Sequence, residues 1–347
     1  MSTNLEPGLP LPPRTKAWRH LFLLVAAGIG LYFLLPQIAP IEHALRVAAT
    51  LRISFVILSL MAQSLSYLGS GYLLRAVVRL IATPVSTIDG ALITMGANSV
   101  GTLGGGVLGT TGMTYRWLRQ EGITPEAAGL GGWIPVFLND AMLAIVSLAG
   151  LLVFFFLQRL SGVLITGFAL ALVILAGGLG ALLWVLTHRE KLTPVAAAIA
   201  KVTVKLRRKP ADPHAIDIAV SRLVAAWDAL VRGGWRAPAT GAFLNLAFDI
   251  LTLGFLFVAA GHGVNPLVLI AGYGVPQLLG KLTVILGGVG VVETTMVGLY
   301  GLLGVPTAVS VVVVLVYRLV SFWLPTLAGV ALLPYFERRE RVVNKAS

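Results

Sequence analysis

The sequence predicts an all-α, polytopic membrane protein with an inverted-topology internal repeat, about six full spans and two re-entrant helical hairpins, eight or more membrane helices in all. Three observations lead there. Hydrophobic residues make up 57% of the chain and charged residues only 12%, with a mean hydropathy of +0.90, whereas globular domains carry about 25% charged residues. Several apolar stretches reach the roughly 20 residues that a helix needs to cross the hydrocarbon core. Two further apolar stretches, 87–120 and 266–303, are split near their middles by glycines.

Residues 1–18 form a proline-rich tail made basic by Arg14 and Lys16, and the apolar stretch 21–40 follows as a first, retained span. A cleaved signal peptide has a shorter core and a small-residue cleavage site. The next span, about 53–79, ends in Arg75 and Arg79, which places its end in the cytoplasm by the excess of Lys and Arg there. Stretches 125–157 and 163–187 form another pair, followed by a basic loop, 188–238. Spans at about 239–261 and 305–335 lead to a basic tail, 336–347. With this assignment every basic cluster lies on the cytoplasmic side of the cell membrane, and so do both termini.

The formal charge of +12 is thereby explained by membrane topology and anionic lipid rather than by nucleic acid. Within the basic loop, Ile216, Val220, Leu223, Trp227 and Leu230 recur at helical spacing after Asp212. That pattern predicts an amphipathic helix on the membrane surface or against the spans. There is no cysteine, and His20, His43, His188, His214 and His262 never fall three or four residues apart. A metal site on one helix face is therefore not expected, nor is any cofactor. Gly104, Gly106 and Gly109 satisfy G-x-G-x-x-G, but without a preceding strand the match has no dinucleotide-binding context.

The two glycine-split stretches each divide into arms of roughly 15 to 18 residues, short for a crossing of about 20. Irregular backbone is tolerated in a membrane where protein buries it or where it lines a watery cavity. Both stretches are read as re-entrant hairpins, with short tilted spans as the alternative. A shift of 182 residues lays Gly105 and Gly106 on Gly287 and Gly288, and Gly122-Ile123 on Gly304-Val305. The span before each hairpin follows the same shift, so the repeats run about 53–157 and 239–335. An odd number of crossings separates their starts, which inverts one relative to the other. Inverted repeats with broken helices near the midplane are a recurring plan for transporters.

Charges in a membrane face a cavity and partner one another, because exposure to lipid is costly. The candidates are Arg116, Asp140, Asp249, Lys281, Glu293 and Arg318, three cations and three anions that could neutralise one another. They could simply lock helices together. Beside the hairpin glycines Gly104, Gly105, Gly106, Gly287, Gly288 and Gly290, however, free backbone amides and a helix N-terminus favour a phosphate, and an arginine strengthens that preference. Asn98, Ser99, Thr102, Thr110, Thr111, Thr114, Asn139, Asn245, Gln277, Thr283, Thr294 and Thr295 would suit a hydrated lining.

Gly287, Gly288, Gly290 and Glu293, then Gly304 and Pro306, then Tyr317, Arg318, Trp323, Pro325 and Gly329 stand in an order and spacing that resembles the lysylphosphatidylglycerol synthase transmembrane, or flippase-like, family. In the first half, Asn98, Gly101, Gly112, Tyr115, Arg116 and Gly122 are similarly placed to those of the flippase portion of multiple peptide resistance factors. The resemblance covers roughly residues 20–335. Many family members carry a Glu in both hairpins, whereas Thr111 stands opposite Glu293 here. The sequence ends soon after the last span, so the aminoacyl-transferase domain of lysyl-lipid synthases is not expected, and neither is enzymatic activity.

The resemblance implies movement of a polar-headed, phosphate-bearing lipid across the membrane. Arg116, Lys281 and Arg318 would attract the phosphate, while Asp140, Asp249 and Glu293 would balance them, bind a cationic headgroup or carry a proton. The alternative is a non-transporting partner that holds a lipid-modifying enzyme at the membrane through the basic loop. A lipid-linked-sugar transferase using Asp140 or Glu293 as base lacks any nucleotide or metal motif.

Overall fold

The computed structural model describes residues 46, 48–156 and 234–346 apart from 284 and 285, with isolated helical positions between 162 and 184. The span expected at 21–40, the tail before it, most of 163–187 and the amphipathic helix of the basic loop lie outside the described residues. Every regular element among the described residues is a helix. In chain order these are α1 (Ile53–Val78), α2 (Thr87–Val100), α3 (Gly106–Gln120), α4 (Pro125–Phe156), α5 (Arg236–Ala259), α6 (Pro266–Leu282), α7 (Val291–Leu302), α8 (Thr307–Arg318) and α9 (Leu324–Ala346). A π-helical turn, Gly101–Gly105, joins α2 to α3, and another, Leu319–Trp323, joins α8 to α9. The last helix thus runs on through the expected C-terminal tail.

Local sequence fixes the ends. The Ser86 hydroxyl accepts the Asp89 N–H at 3.0 Å to cap α2, and the Asn265 side chain accepts the Leu267 N–H at 2.9 Å ahead of Pro266 to cap α6. Each cap satisfies a backbone donor that the first turn leaves unpaired. At the other end of the hairpins, Gly122 and Gly304 adopt left-handed φ values of 76° and 88°. There the Ile123 N–H reaches the Leu118 carbonyl and the Val305 N–H the Tyr300 carbonyl, the same helix-ending motif twice.

That duplication extends through the fold. Adding 182 to the ends of α2 and α3 and to the start of α4 (100, 120 and 125) gives 282, 302 and 307, where α6 and α7 end and α8 begins. Packing follows the same exchange, since α4 lies on α6 of the other repeat and α9 lies on α2. The equivalent helices α1 and α5 form the most extensive contact and run antiparallel, with the Arg52 N–H on the Ala259 carbonyl at one end and Leu73 against Gly241 toward the other.

Small residues make this crossing close. The Asn245 amide donates to the Ser66 carbonyl at 3.0 Å, the Ser66 hydroxyl donates to the Asn245 carbonyl at 2.8 Å, and Thr252 reaches the Ser59 carbonyl at 3.4 Å. A Cβ on Gly241 would lie 2.6 Å from the Leu73 nitrogen, and one on Gly69 would lie 2.6 Å from that of Asn245. Small residues and side-chain hydrogen bonds are how helices associate where lipid competes equally for apolar surface.

Five described stretches are long and apolar enough to cross a membrane: Ile53–Val78, Thr87–Gln120, Pro125–Phe154, Arg236–Ala259 and Thr307–Phe336. The second does not continue straight, because α2 and α3 fold back on each other: Gly96 meets the Trp117 ring and Gly109 meets Gly101. The arms α6 and α7 pack together in the same way, with Gly280 against Val292. Each glycine-split stretch is therefore a helical hairpin, and the two turns touch at Thr102 and Gly287.

Gly241→Val should overpack the α1–α5 crossing and lower stability by about 1–3 kcal/mol. Gly112→Ala, on α3 where an added Cβ meets nothing within 4 Å, should leave stability unchanged or raised by up to about 1 kcal/mol. Thermal unfolding of the detergent-solubilised variants checks both.

Candidate functional site

The second hairpin turn is held by charge. Gly287, Gly288 and Gly290 have φ of 62°, 64° and 85°, a left-handed backbone that side-chain-bearing residues avoid. It turns the Gly290 N–H toward Glu293 Oε2, at 2.6 Å, which caps α7. The other oxygen, Glu293 Oε1, accepts the Nε–H of Arg318 at 2.6 Å, and Arg318 Nη2 donates to the Gly287 carbonyl at 2.9 Å. The guanidinium also lies over the Phe322 ring, 4.0 Å from its centroid. Arg318 is 5% exposed and Glu293 13%, so both charges are removed from water and spend their interactions on the turn.

A second cluster centres on Asp249 of α5. Its Oδ2 accepts the Tyr273 hydroxyl at 2.6 Å and the Tyr317 hydroxyl at 2.8 Å, and the Gln277 amide donates to the Tyr317 oxygen at 2.9 Å. The Gln63 side chain of α1 also reaches this carboxylate. A third pair, Lys281 of α6 and Asp140 of α4, bridges the repeats and is the most open, with Lys281 half exposed.

These clusters border one cavity of about 680 Å³ between the two repeats. Of the six charged residues picked out in the sequence, Asp140, Asp249, Lys281 and Arg318 line it, and Glu293 lies just behind Arg318. Arg116 does not line it; it sits exposed on α3. Among the hairpin glycines Gly104, Gly106 and Gly287 form part of the wall, whereas Gly105, Gly288 and Gly290 are not part of it. Asn98, Ser99, Thr102, Thr110, Asn139, Asn245, Gln277 and Thr283 line the cavity as well, but Thr111, Thr114, Thr294 and Thr295 do not. The outer faces are apolar, with Leu60, Met61, Ile145, Leu148 and Leu152 exposed.

Gln63, Tyr67, Tyr273 and Ser321 were missed by the sequence reading. A signal was present: Tyr273, Gln277 and Lys281 recur every four residues on the apolar α6, and Gln63, Ser66, Tyr67 and Ser70 stand at helical spacing on α1. Such spacing puts polar side chains on one helix face.

Apolar helices packed around a polar, charged cavity define a multi-pass membrane protein whose chemistry faces inward. Over residues 20–329 the chain matches the lysylphosphatidylglycerol synthase TM region family, and it belongs to that family. It is also similar to UPF0104 membrane proteins of Methanothermobacter thermautotrophicus (34% identical over 95 residues, 27% of this chain and 28% of the relative) and Methanocaldococcus jannaschii (33% over 99 residues, 28% and 29%). A third, from Pyrococcus horikoshii, is 33% identical over 88 residues, 25% of this chain and 26% of the relative. The match thus spans less than a third of each relative.

Arg318→Ala would strand the Glu293 carboxylate in a buried site, and breaking such a pair costs about 3–5 kcal/mol. Lys281→Ala removes a half-exposed partner and should cost no more than about 1 kcal/mol. Thermal unfolding should therefore separate the two variants clearly.

Proposed function

We propose that this protein moves a polar-headed, phosphate-bearing lipid across the cell membrane, as a flippase or lipid transporter and without enzymatic chemistry. The observation that carries the reading is the charged cavity between the two repeats, bordered by both glycine turns and enclosed by helices with apolar outer faces. A lipid can leave its acyl chains in the bilayer while its headgroup occupies such a cavity. In this reading the two hairpins are re-entrant, entering from opposite faces with their turns meeting near the midplane. The antiparallel α1 and α5 support the inversion, and arms of 12 to 17 residues span only about 18–26 Å against a core of about 30 Å.

Both termini are assigned to the cytoplasm by the placement of basic residues. Among the described cavity cations the Lys281 ammonium, paired with Asp140 but half exposed, is the more open to a phosphate. Arg318 and Glu293 set the position of the glycine turn beside it.

Purified protein in vesicles should make fluorescent, chemically reducible phospholipids accessible from the far leaflet faster than protein-free vesicles do. Lys281→Gln should lower that rate by about tenfold, the order of one charge-assisted contact, while remaining folded. Glu293→Gln, which leaves Arg318 without its counter-charge, should lose most of it. No rate above protein-free vesicles across several headgroups would overturn the transport reading in favour of a partner that holds a lipid-modifying enzyme.

A further inference from the structure

Among the described residues the cavity does not neutralise itself. Their charges fall into the Lys281–Asp140 pair and the Arg318–Glu293 pair, and with Arg116 outside the described lining the carboxylate of Asp249 is left over. Arg318 acts on Asp249 through space, but its hydrogen bonds go to Glu293 and Gly287. Asp249 is held instead by neutral groups, the Tyr273 and Tyr317 hydroxyls, both on Oδ2, and the Gln63 side chain.

The same cavity holds acceptors without donors. Gln63 is 7% exposed and its Oε1 has no hydrogen-bond partner. Asn139 Oδ1, in the same cavity, has none either. A buried acceptor left unpaired carries a desolvation penalty, and a buried charge without a counter-charge carries a larger one. One excess negative charge and unpaired oxygens in a single cavity describe a place for a cation.

We propose that Asp249 and Gln63 Oε1, in a cavity that Asn139 also lines, form a binding site for a monovalent cation that takes oxygen ligands, supplied either as a free alkali ion or as the ammonium group of a lipid headgroup. The site uses residues other than Lys281, to which the transport reading assigns the phosphate. A phosphate-bearing ligand and a cation thereby occupy the cavity together, and the pair enters with little net charge. The headgroup source rests on the transport reading above; the free-ion source does not.

The test measures binding without transport. In one arm, purified protein in phosphatidylglycerol nanodiscs is titrated with radioactive Na⁺ in choline buffer by scintillation proximity; a free-ion site gives saturable retention displaced by unlabelled Na⁺. In the other, native mass spectrometry compares retention of phosphatidylethanolamine with that of phosphatidylglycerol; a headgroup site favours the primary amine by about tenfold. Asp249→Asn should erase whichever preference is found, and Gln63→Leu should weaken it, with both variants monodisperse by size exclusion. Arg116→Gln, outside the cavity, should retain it. Wild-type protein that shows neither Na⁺ retention nor an amine preference overturns the proposal, whatever the variants do. Failure of lipid movement in vesicles would leave the free-ion arm standing.

Discussion

The guanidinium of Arg318 holds a carboxylate, a backbone carbonyl and an aromatic face at once, and the shape of the second hairpin turn depends on it. Three glycines in left-handed conformations supply the turn but not its rigidity, because glycine loses the most conformational freedom on ordering. Glu293 links the two requirements: one oxygen caps α7 through Gly290 and the other fixes Arg318. A buried ion pair offsets its desolvation only when its remaining hydrogen-bonding groups are satisfied, and here the backbone of the turn satisfies several of them. Arg318 and Glu293 are therefore engaged in architecture, which leaves Asp249 and Lys281 as the charges of the proposed function that are not committed to the turn.

The scaffold is nearly symmetric while that chemistry is not. Shifted by 182 residues, Asp249 falls on Tyr67, Lys281 on Ser99, Glu293 on Thr111 and Arg318 on Val136, while Asp140 falls on Phe322. No ionisable pair is duplicated. The first turn accordingly uses another means of closure, a π-helical turn in which Gly101 lies against Thr110 and Gly109. Backbone geometry repeats because glycine position and helix length are enough to specify it. The charged contacts differ because each needs a partner on another helix, and one copy of each is enough in a shared cavity.

This division explains how much the sequence disclosed. The helical hairpins and the matching positions of their turns follow from local features, glycines and apolar runs of spanning length; the caps at Ser86 and Asn265 are local too but were not picked out, and the break of the last span at Leu319–Trp323 has no local marker. Grouping Asp140, Asp249, Lys281 and Arg318 was also possible, because charge in an apolar chain has few places to go. Their pairing was not, since Lys281 meets Asp140 from 141 residues away and no local rule selects that partner over Glu293. Arg116 shows the converse: its position beside the first hairpin resembles that of the other charges, yet the face of α3 that carries it points away from the cavity. Tyr273 escaped notice, and Tyr317 stood out only as part of the family pattern, because a tyrosine in an apolar helix reads as packing until a carboxylate is found against its hydroxyl.

The cross-repeat packing limits how such a cavity could change shape. Rocking one intact repeat against the other would have to break the contacts of α4 with α6 and of α9 with α2, together with the α1–α5 crossing, where backbones approach closely and side chains bond main-chain groups. Interfaces of that kind resist sliding because they are packed at interior density. The contact between the two turns is of another kind: it is small, made by Thr102 beside Gly287, and it borders the cavity that holds the Asp249 carboxylate. On the transport reading the least costly motion leaves the crossed helices in place and parts the turns. Arg318 ties α8 to the second turn through Glu293 and Gly287, and the neighbouring Tyr317 ties α8 to Asp249 on α5, so these two contacts set how far the turn can part from the fixed crossing.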